Sequence, residues 1–551
     1  MYKLIFMQKN LNNFFTKLAT IIFLLISNAA FNQSKSVITD LSKSATKGLL
    51  DDVVLENNGN IRVTYKMKVD KKSDEAKFED YVFDNNLNFK GIEPYKVPNE
   101  PKVVKPDYNL TSLAAYVGGS NSFNVLSMTL KFEKEVWERK WNTKNQKYDW
   151  GKRLSKETVK MKDSDGKYRG FANYPNDDDG SQFVFASLES KSDDDAFVAL
   201  YATNDMNIKE TKLTLSGSYS LAFCGQLKNT NVFAIFAPNK GNSNSKYVFY
   251  EFTNKAELVA SYEFSTPSPN LAITDFFEEK GNIYLLGGST KDNDPYNKVF
   301  TSYAPIDNPG YSTSKNAQMF KYEKSIRNND FDNFHFIKLS NQSIGFISSI
   351  PVKLLKSKIK TPPAFKKGVA FNGNKFMFQN YVITPNNEFL ITGQLYEAKI
   401  ENGGTSIANK YAEVVCLHLN SNGELITQYC VDKVNDDSKS EYFRNKQNFI
   451  LSSDGNTMYW EILEVKGTKS YDSWIDAYLG NKSLTGNLFP RIGKIDLKNA
   501  SLSDFENFGN DGKYLLYKYN TSIISPDKKT YYYFGHDEDY EKLWVSKYQF
   551  N

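Results

Sequence analysis

One short phrase recurs along this chain and limits what it can fold into: a polar turn of Pro, Asp, Asn or Gly followed at once by a short, aromatic-rich strand. At Ile524–Phe534 the phrase is ISPDKKTYYYF. Further copies are ITPNNEFLI at Ile383–Ile391, SSDGNTMYW at Ser452–Trp460 and NDDDGSQFVF at Asn176–Phe185, with looser copies EEKGNIYLL at Glu278–Leu286 and LENNGNIRV at Leu55–Val63. A turn that leads directly into a strand is typical of antiparallel β-structure, so the repeat predicts many short hairpins.

A second phrase lies between the copies of the first: an alternating strand, a turn of Asn, Asp or Lys, and another strand. Aligning Ile208 on Leu258 in two such stretches gives a period of about 50 residues, or about four strands. Aromatic residues make up 15% of the chain, and their rings pack well on pleated strands. A four-stranded unit of this size matches a propeller blade. We therefore predict an all-β fold, a β-propeller of about seven four-stranded blades (six to eight are compatible) with long inserted loops.

The turns themselves resemble those of a known superfamily. SPDK at Ser525–Lys528 and SSDG at Ser452–Gly455 are similar to the SPDG turn of WD40-like and bacterial periplasmic β-propellers, although the WD dipeptide is missing. The resemblance covers nearly the whole chain after its first residues and implies a fold, with no particular function. In such propellers a terminal strand commonly completes the blade begun at the other end of the chain. We expect the strand Leu543–Phe550 to complete the first blade in this way and so act as a clasp between the two ends of the chain.

The first residues have the pattern of a secretory signal peptide. Lysine-bearing Met1–Lys17 precedes the apolar run Leu18–Ile26 and a cluster of small residues. The apolar run is too short to span a bilayer and no second candidate follows it, which predicts a soluble protein outside the cytoplasm. The expected organisation is a signal peptide at 1–30, a loosely held polar arm at 31–50, and a propeller at 51–551 with insertions near 133–153, 293–332 and 352–367.

The charge of the chain excludes one class of partner. The formal net charge is +5, but Lys3, Lys9 and Lys17 lie in the leader, so the mature chain carries about +2. A field this weak does not predict binding to nucleic acid or to an anionic membrane.

The spacing of the three cysteines allows one disulfide. Cys416 and Cys430 flank a hairpin folded at Asn420–Gly423, and a disulfide between them is plausible if the register places them opposite each other. Cys224 is expected to be a small buried hydrophobe.

Common catalytic motifs are missing from the sequence: it contains no GxSxG, HExxH or CxxC. His335, His418 and His536 lie in separate repeats, so a catalytic triad or zinc site would need distant residues to converge. Acidic loops could bind calcium, although solvated turns are the favoured interpretation and we expect no cofactor. These loops are Asp163 with Asp165, Asp177–Asp179, Asp193–Asp195, Asp292 with Asp294, and Asp537–Asp539.

The strongest functional candidate is Glu133–Arg153, which contains three of the six tryptophans. Trp137 and Trp141 are four residues apart, so they share a face in a helix and also in a strand. Trp and Arg are enriched at binding hot spots. We therefore predict that Trp137, Arg139, Trp141 and Trp150 bind a partner. The alternative is that Trp137 and Trp141 both pack against an outer blade.

Two functions remain open. The Asn-, Lys- and Tyr-rich secreted style is similar to that of bacteria with type IX secretion, whose cargo usually ends in a sorting domain, whereas this chain ends within its repeats. This resemblance implies a non-enzymatic periplasmic protein (alternatively secreted or on the cell surface), an accessory or plug-like subunit of an outer-membrane complex for protein secretion. Its partners would be envelope proteins, above all an outer-membrane protein. The alternative is a glycan-binding or glycan-cleaving propeller, which the aromatic content and acidic loops would also fit.

Overall fold

The structure is a computed structural model that describes most of the chain. The described residues are 34–68, 75–98, 105–117, 130–145, 147–162, 166–176, 178–190, 196–242, 245–291, 293–300, 330–340, 343–365, 371–373, 375–401, 406–434, 440–471, 483–517 and 522–550. They form two compact units: unit 1 lies within Met1–Asn99 and Val434–Asn551, and unit 2 within Glu100–Lys433. The predicted signal peptide lies outside the described residues.

Nearly all regular structure in the described residues is β-strand. Unit 1 begins with β1 (Ser34–Asp40), β2 (Leu49–Leu55), β3 (Ile61–Lys66), β4 (Glu75–Phe83) and β5 (Phe89–Pro98). Unit 2 contains β6 (Tyr108–Val117), β7 (Leu130–Asn142), β8 (Lys147–Lys160), β9 (Gly166–Pro175), β10 (Gln182–Ser190), β11 (Ala196–Ala202), β12 (Ile208–Lys212), β13 (Tyr219–Gln226), β14 (Val232–Pro238), β15 (Tyr247–Phe252), β16 (Leu258–Phe264), β17 (Ala272–Glu279), β18 (Asn282–Ser289), β19 (Asn333–Ser340), β20 (Ser343–Pro351), β21 (Ile359–Lys360), β22 (Phe376–Ile383), β23 (Phe389–Glu401), β24 (Ser406–Leu419) and β25 (Leu425–Val431).

Unit 1 then continues to the last described residues. Its remaining strands are β26 (Gln447–Leu451), β27 (Thr457–Tyr471), β28 (Ser483–Asp496), β29 (Ser501–Leu502), β30 (Glu506–Asn507), β31 (Leu515–Leu516), β32 (Ser522–Ile524), β33 (Thr530–His536) and β34 (Lys542–Gln549). The helices are short: α1 (Tyr296–Val299), α2 (Val352–Ser357) and α3 (Gly509–Gly512), with 3-10 turns at Ala45–Lys47 and Ser440–Tyr442. No helix in the described ranges is both long and apolar enough to cross a membrane.

The strands form eight sheets among the described residues: four have four strands in sequential antiparallel order, three have five strands and one has three. In unit 2 the sheets are β6–β8, β9–β12, β13–β16, β17–β20 and β21–β25; in unit 1 they are β2–β5, β26–β30, and β1 with β31–β34. Sheets of this size and order are the blades of a β-propeller, which confirms the predicted fold class. Eight sheets is the upper end of the predicted range of six to eight blades. The sheet β6–β8 contains no copy of the turn phrase, so the sequence repeat does not reveal it.

The repeated turn is held by hydrogen bonds from its own residues. In the turn before β33, the Lys528 amide donates to the Ser525 carbonyl at 2.8 Å. The Ser525 hydroxyl accepts the Thr530 amide at 2.9 Å, and Asp527 accepts the Lys529 amide at 3.0 Å. Ser and Asp therefore satisfy backbone donors that the tight turn leaves without a strand partner, which explains why these residue types recur.

Aromatic and aliphatic side chains on the two faces of a strand enter different cores. Along β14 every residue is buried. Phe233 and Ile235 join one core cluster, whereas Val232, Ala234 and Phe236 join another. This inner strand therefore contributes to the packing on both sides of its sheet, and the need for bulky residues on both faces accounts for its aromatic side chains.

The segment expected to be a loose polar arm is partly a paired strand. Residues of β1 pair antiparallel with β34, from Ser34 opposite Tyr548 to Asp40 opposite Lys542. Val37 also packs against the core cluster formed by β3, β4, β33 and β34. The prediction of a loose arm is therefore wrong for Ser34–Asp40, whereas the prediction that the last strand acts as a clasp is confirmed.

The register of the β24–β25 hairpin excludes the disulfide that the sequence allowed between Cys416 and Cys430. Cys416 lies opposite Tyr429 and Cys430 lies opposite Val415, so the two cysteines occupy neighbouring positions on opposite faces of the sheet. The structure contains no bond between them, and both side chains are buried. A sulfur bridge needs the two Cβ atoms to point toward each other, which this register prevents. Cys224 is buried, as predicted.

The expected insertions have different outcomes. Residues 133–142 and 147–153 belong to the paired strands β7 and β8 and are not a loop inserted between strands. In 352–367, α2 buries Val352 and Leu355, and β21 pairs with β25, so part of this lysine-rich stretch is anchored to its sheet. Residues 301–329 of the expected insertion at 293–332 lie outside the described residues.

A single substitution tests the turn. Lys528 has a φ of 57°, whereas the equivalent position in the SSDG turn is Gly455, with a φ of 74°. A side chain in this left-handed conformation costs about 1 kcal/mol, part of which is offset by the entropy of an unfolded glycine. We expect Lys528→Gly to raise the free energy of unfolding by about 0.5 kcal/mol in urea denaturation. Lys529→Gly, at the next position, should lower it; an equal effect of both substitutions would contradict the assignment.

Candidate functional site

The sheet β6–β8 places aromatic and cationic residues on one face. Because side chains alternate along a strand, Trp137, Arg139 and Trp141 of β7 point to the same side. On β8, Arg153 lies opposite Trp137 and Trp150 lies opposite Arg139. We call these five residues the aromatic–cation face. The sequence prediction that Trp137 and Trp141 share a face is confirmed by this strand geometry.

Trp150 is the centre of this face. The Arg139 guanidinium carbon lies 3.8 Å from the centroid of the Trp150 ring. The ring of Trp137 meets Trp150 edge-on, with centroids 5.8 Å apart and an interplanar angle of 80°. Arg153 lies 5.8 Å from the Trp137 ring. Cation–π pairs at exposed sites are worth about 0.5–1 kcal/mol each, so this alternation of rings and cations stabilises one arrangement of the face.

Further aromatic contacts extend the face toward the β7–β8 turn. Trp141 and Tyr148 have ring centroids 4.9 Å apart, and Tyr148 contacts Tyr108 of β6 with centroids 4.6 Å apart. Lys105 lies 5.2 Å from the Trp141 ring. All three strands of the sheet, or residues beside them, therefore contribute to one continuous surface.

Two glutamates hold the other end of the face in place. Glu135 accepts hydrogen bonds from the Trp137 indole N–H and from Arg153, each at 2.9 Å, and pairs with Lys156 at 3.4 Å. These contacts, the indole N–H first, keep the pKa of the Glu135 carboxyl below its usual value. Glu133 pairs with Lys131 and Lys156, and although burial acts to raise its pKa, these cations lower it overall. Most charge in this part of the face is therefore internally neutralised.

Arg139 differs from its neighbours because it has no carboxylate partner in the described part of the chain. Its Nη2 donates to the Tyr148 carbonyl at 2.9 Å. Its Nε and Nη1 are covered by neighbouring atoms and have no hydrogen-bond acceptor among the described residues, and the same is true of the Trp141 indole nitrogen. Covered donors without acceptors cost free energy, so the face contains unused hydrogen-bonding capacity.

Exposure separates the three tryptophans of this sheet from those of the core. Trp150 is 62% exposed, and Trp137 and Trp141 are partly exposed, whereas Trp460 is 0% exposed. Trp150 is therefore a surface residue, and Trp460 is a core residue. The four predicted partner-binding residues lie together, and the sequence reasoning missed Arg153, Tyr148 and Tyr108, which join them through strand pairing.

The histidines occupy structural positions in separate sheets. His335 of β19 is 1% exposed and contacts the Ser289 hydroxyl at 2.7 Å. His418 of β24 lies 2.9 Å from Glu388 and 3.1 Å from the Tyr429 hydroxyl. His536 lies on β33 in unit 1. Burial lowers the pKa of His335 to about 4, so this side chain is neutral near pH 7, and burial also lowers the pKa of His418.

The acidic loops lie partly within the described residues. Asp163, Asp165, Asp177, Asp193–Asp195 and Asp292 lie outside the described residues. In the remainder, no three His, Cys, Asp or Glu side chains are grouped closely enough to hold a metal ion.

Comparisons with known proteins identify no family for this chain. No family model and no curated protein matches the chain. Similar solved structures include a lignostilbene dioxygenase of Pseudomonas brassicacearum (TM-score 0.31, 9% identity, 82% of this chain and 90% of that one), the WD40 domain of SCAP from fission yeast (TM-score 0.23, 9% identity, 94% and 98%) and a polysaccharide lyase (TM-score 0.26, 10% identity, 82% and 90%). These scores are too low to bear on function, and the fold assignment rests on the sheets themselves.

Two tryptophan substitutions test the description of the face. We expect Trp150→Ala to lower the free energy of unfolding by about 1 kcal/mol or less, because it removes only an exposed ring and its contacts. Trp460→Ala, which empties a buried site, should cost about 3–5 kcal/mol. Urea denaturation measures both, and a loss above about 3 kcal/mol for Trp150→Ala would show that this side chain belongs to the core.

The buried His335 predicts a pH dependence. Its folded pKa of about 4 lies below the ordinary value of 6.5, so the unfolded chain takes up a proton that the folded chain excludes. The contribution of His335 to the free energy of unfolding is therefore fully present above pH 6.5. It falls by up to about 1.4 kcal/mol per pH unit as the pH drops from 6.5 to 4. The stability of His335→Gln should fall less over this range. An NMR titration midpoint of His335 near 6.5 would contradict the assignment.

Proposed function

We propose that this chain is a non-enzymatic β-propeller that acts as a protein–protein interaction subunit of a cell-envelope complex. The observation that carries the proposal is the aromatic–cation face, in which an exposed Trp150 is stacked on Arg139. Trp and Arg are the residues most enriched at binding hot spots, because they bury much area and lose little conformational entropy when they are already ordered.

The unused donors of Arg139 support a polar contact at the centre of that interface. The Trp150 ring covers one side of the guanidinium, and this ring is exposed. A shift of the ring would bring a partner carboxylate within reach of Nη1, where it would supply the acceptor that the described residues lack. Arg and carboxylate pairs of this kind form two parallel hydrogen bonds, which adds orientation to affinity.

The cellular setting in this proposal comes from the sequence. The leader pattern of residues 1–30 supports export, and we place the protein in the periplasm with an outer-membrane protein as its main partner, in a complex that serves protein secretion. Trp137, Arg139, Trp141 and Trp150 are the proposed partner-binding residues.

Glycan binding is the alternative, because an exposed indole ring can also stack on the apolar face of a sugar. Arg139 already occupies one side of the Trp150 ring, so a sugar would have access only to the other side. A protein partner can use the edge of the ring, its open side and the cations together, and this is why we favour the protein partner.

Co-purification from detergent-solubilised envelope tests the proposal. We expect the wild-type protein to recover one envelope protein in stoichiometric amount, and Trp150→Ala and Arg139→Gln each to reduce its recovery at least tenfold. Tyr95→Ala is the matched control, since Tyr95 is 40% exposed and stacks on Phe78 on another sheet. Tyr95→Ala should recover as much of the envelope protein as the wild type does.

The opposite outcome is equally definite. A monomer that recovers no envelope protein, and that binds or cleaves polysaccharide in a manner dependent on Trp150, would replace the proposed function with the glycan alternative.

A further inference from the structure

The sheet β6–β8 has three strands among the described residues, whereas each of the other seven sheets has four or five. We propose that an extended, acidic segment of a partner protein pairs with the open edge of β8 as the fourth strand of this blade. The inference rests on the proposed function and specifies how the partner is recognised.

The open edge is long and exposed. β8 has 14 residues, pairs only with β7 among the described strands, and is exposed at nearly every position from Trp150 to Lys160. An edge strand presents a row of backbone N–H and C=O groups that a further strand can pair with. Strand addition of this kind derives affinity from main-chain hydrogen bonds and specificity from alternate side chains.

Only part of β8 has the regular geometry that strand addition requires. The pairing with β7 is irregular between Val136 and Arg139, where β8 bulges around Lys152–Leu154. From Ser155 to Lys160 each residue lies opposite one residue of β7. This run of six residues, about 20 Å long, is the proposed pairing segment.

Several outer strands of other sheets have features that hinder pairing with a further strand, and the segment Ser155–Lys160 lacks these features. β5 contains Pro94 and Pro98, and β12 has five residues. β16 and β20 each contain a register shift, near Leu258 and Gly345 respectively. Prolines, shortness and bulges are the usual devices that prevent an edge from accepting another strand.

The charges of β8 indicate that the partner strand is acidic. β8 carries five basic residues, Lys147, Lys152, Arg153, Lys156 and Lys160, against Asp149 and Glu157. Arg153 and Lys156 are paired with glutamates of β7, whereas Lys152 and Lys160 have no ion pair within the described ranges. In parallel, in-register pairing, a second copy of β8 would place Lys156 against Lys156 and Lys160 against Lys160, which is unfavourable, while an acidic strand would place a carboxylate beside the unpaired Lys160.

The pairing segment and the aromatic–cation face lie on one strand. Arg153 and Trp150 follow the segment toward the β7–β8 turn. A partner strand that runs along Ser155–Lys160 is therefore directed toward Trp150 and Arg139, so one partner segment would contact both.

Synthetic peptides and the purified full-length protein test this inference. The probe is a fluorescent eight-residue peptide of alternating Val and Glu; one control replaces every Glu with Lys and the other replaces every Val with Pro. We expect the acidic peptide alone to bind in fluorescence anisotropy. Its binding should slow amide hydrogen exchange at least tenfold in Ser155–Lys160, and leave Ile208–Lys212 of β12 unchanged.

A matched pair of charge reversals completes the test. Lys160 and Lys212 are exposed and are the last residues of β8 and β12. Lys160→Glu should weaken binding of the acidic peptide about fivefold or more, whereas Lys212→Glu should leave it unchanged.

Three results would overturn the inference. The first is binding of the proline-containing peptide as tightly as the valine-containing one, which would show simple charge attraction. The second is slow exchange of Ser155–Lys160 before any peptide is added, which would show that this chain covers its own edge. The third is the absence of binding. If Trp150→Ala abolishes partner recovery while Lys160→Glu does not, the proposed function stands and strand addition fails.

Discussion

The packing of large rings between neighbouring sheets is the interaction on which the rest of this structure depends. Along β14 the side chains enter two different cores in alternation, so the stability of this sheet depends on the side chains that pack against both of its faces. Each buried Phe or Tyr removes 150–250 Å² from water and contributes a few kcal/mol. A single four-stranded blade has no such cover of its own. Its stability is therefore shared with its neighbours, and the same packing sets the limits within which a functional surface can form.

How much of this could be read from the sequence follows from how local each feature is. The turn before β33 is held by residues within six positions of one another, so its chemistry is visible in SPDKKT, and the fold class follows from repeating it. Strand register is different, because it depends on pairings and bulges made elsewhere in the sheet. Cys416 and Cys430 miss each other by a single position for this reason, and no spacing in the sequence reveals it.

For the aromatic–cation face too, local features could be predicted from the sequence, whereas contacts that depend on strand register could not. The even spacing of Trp137 and Trp141 is enough to predict a shared face. The spacing does not predict that Arg139 stacks on Trp150, because that contact depends on which residue of β8 lies opposite. The interpretation of Glu133–Arg153 as an insertion failed for a related reason. Its lysines and tryptophans look unlike the apolar blade strands, yet they alternate as a strand must, and exposure rather than irregular structure accounts for the composition.

The pairing of β1 with β34 has a consequence for how the chain reaches this structure. The partners are separated by more than 500 positions, from Ser34 to Tyr548, so the contact closes an extremely long loop. During synthesis β1 emerges long before β34 and must wait without its partner until nearly everything else has followed. Throughout that interval an unpaired strand is open to proteases and to wrong pairings. Such a protein should fold slowly and late, and a chaperone that shields β1 during this wait would increase its yield.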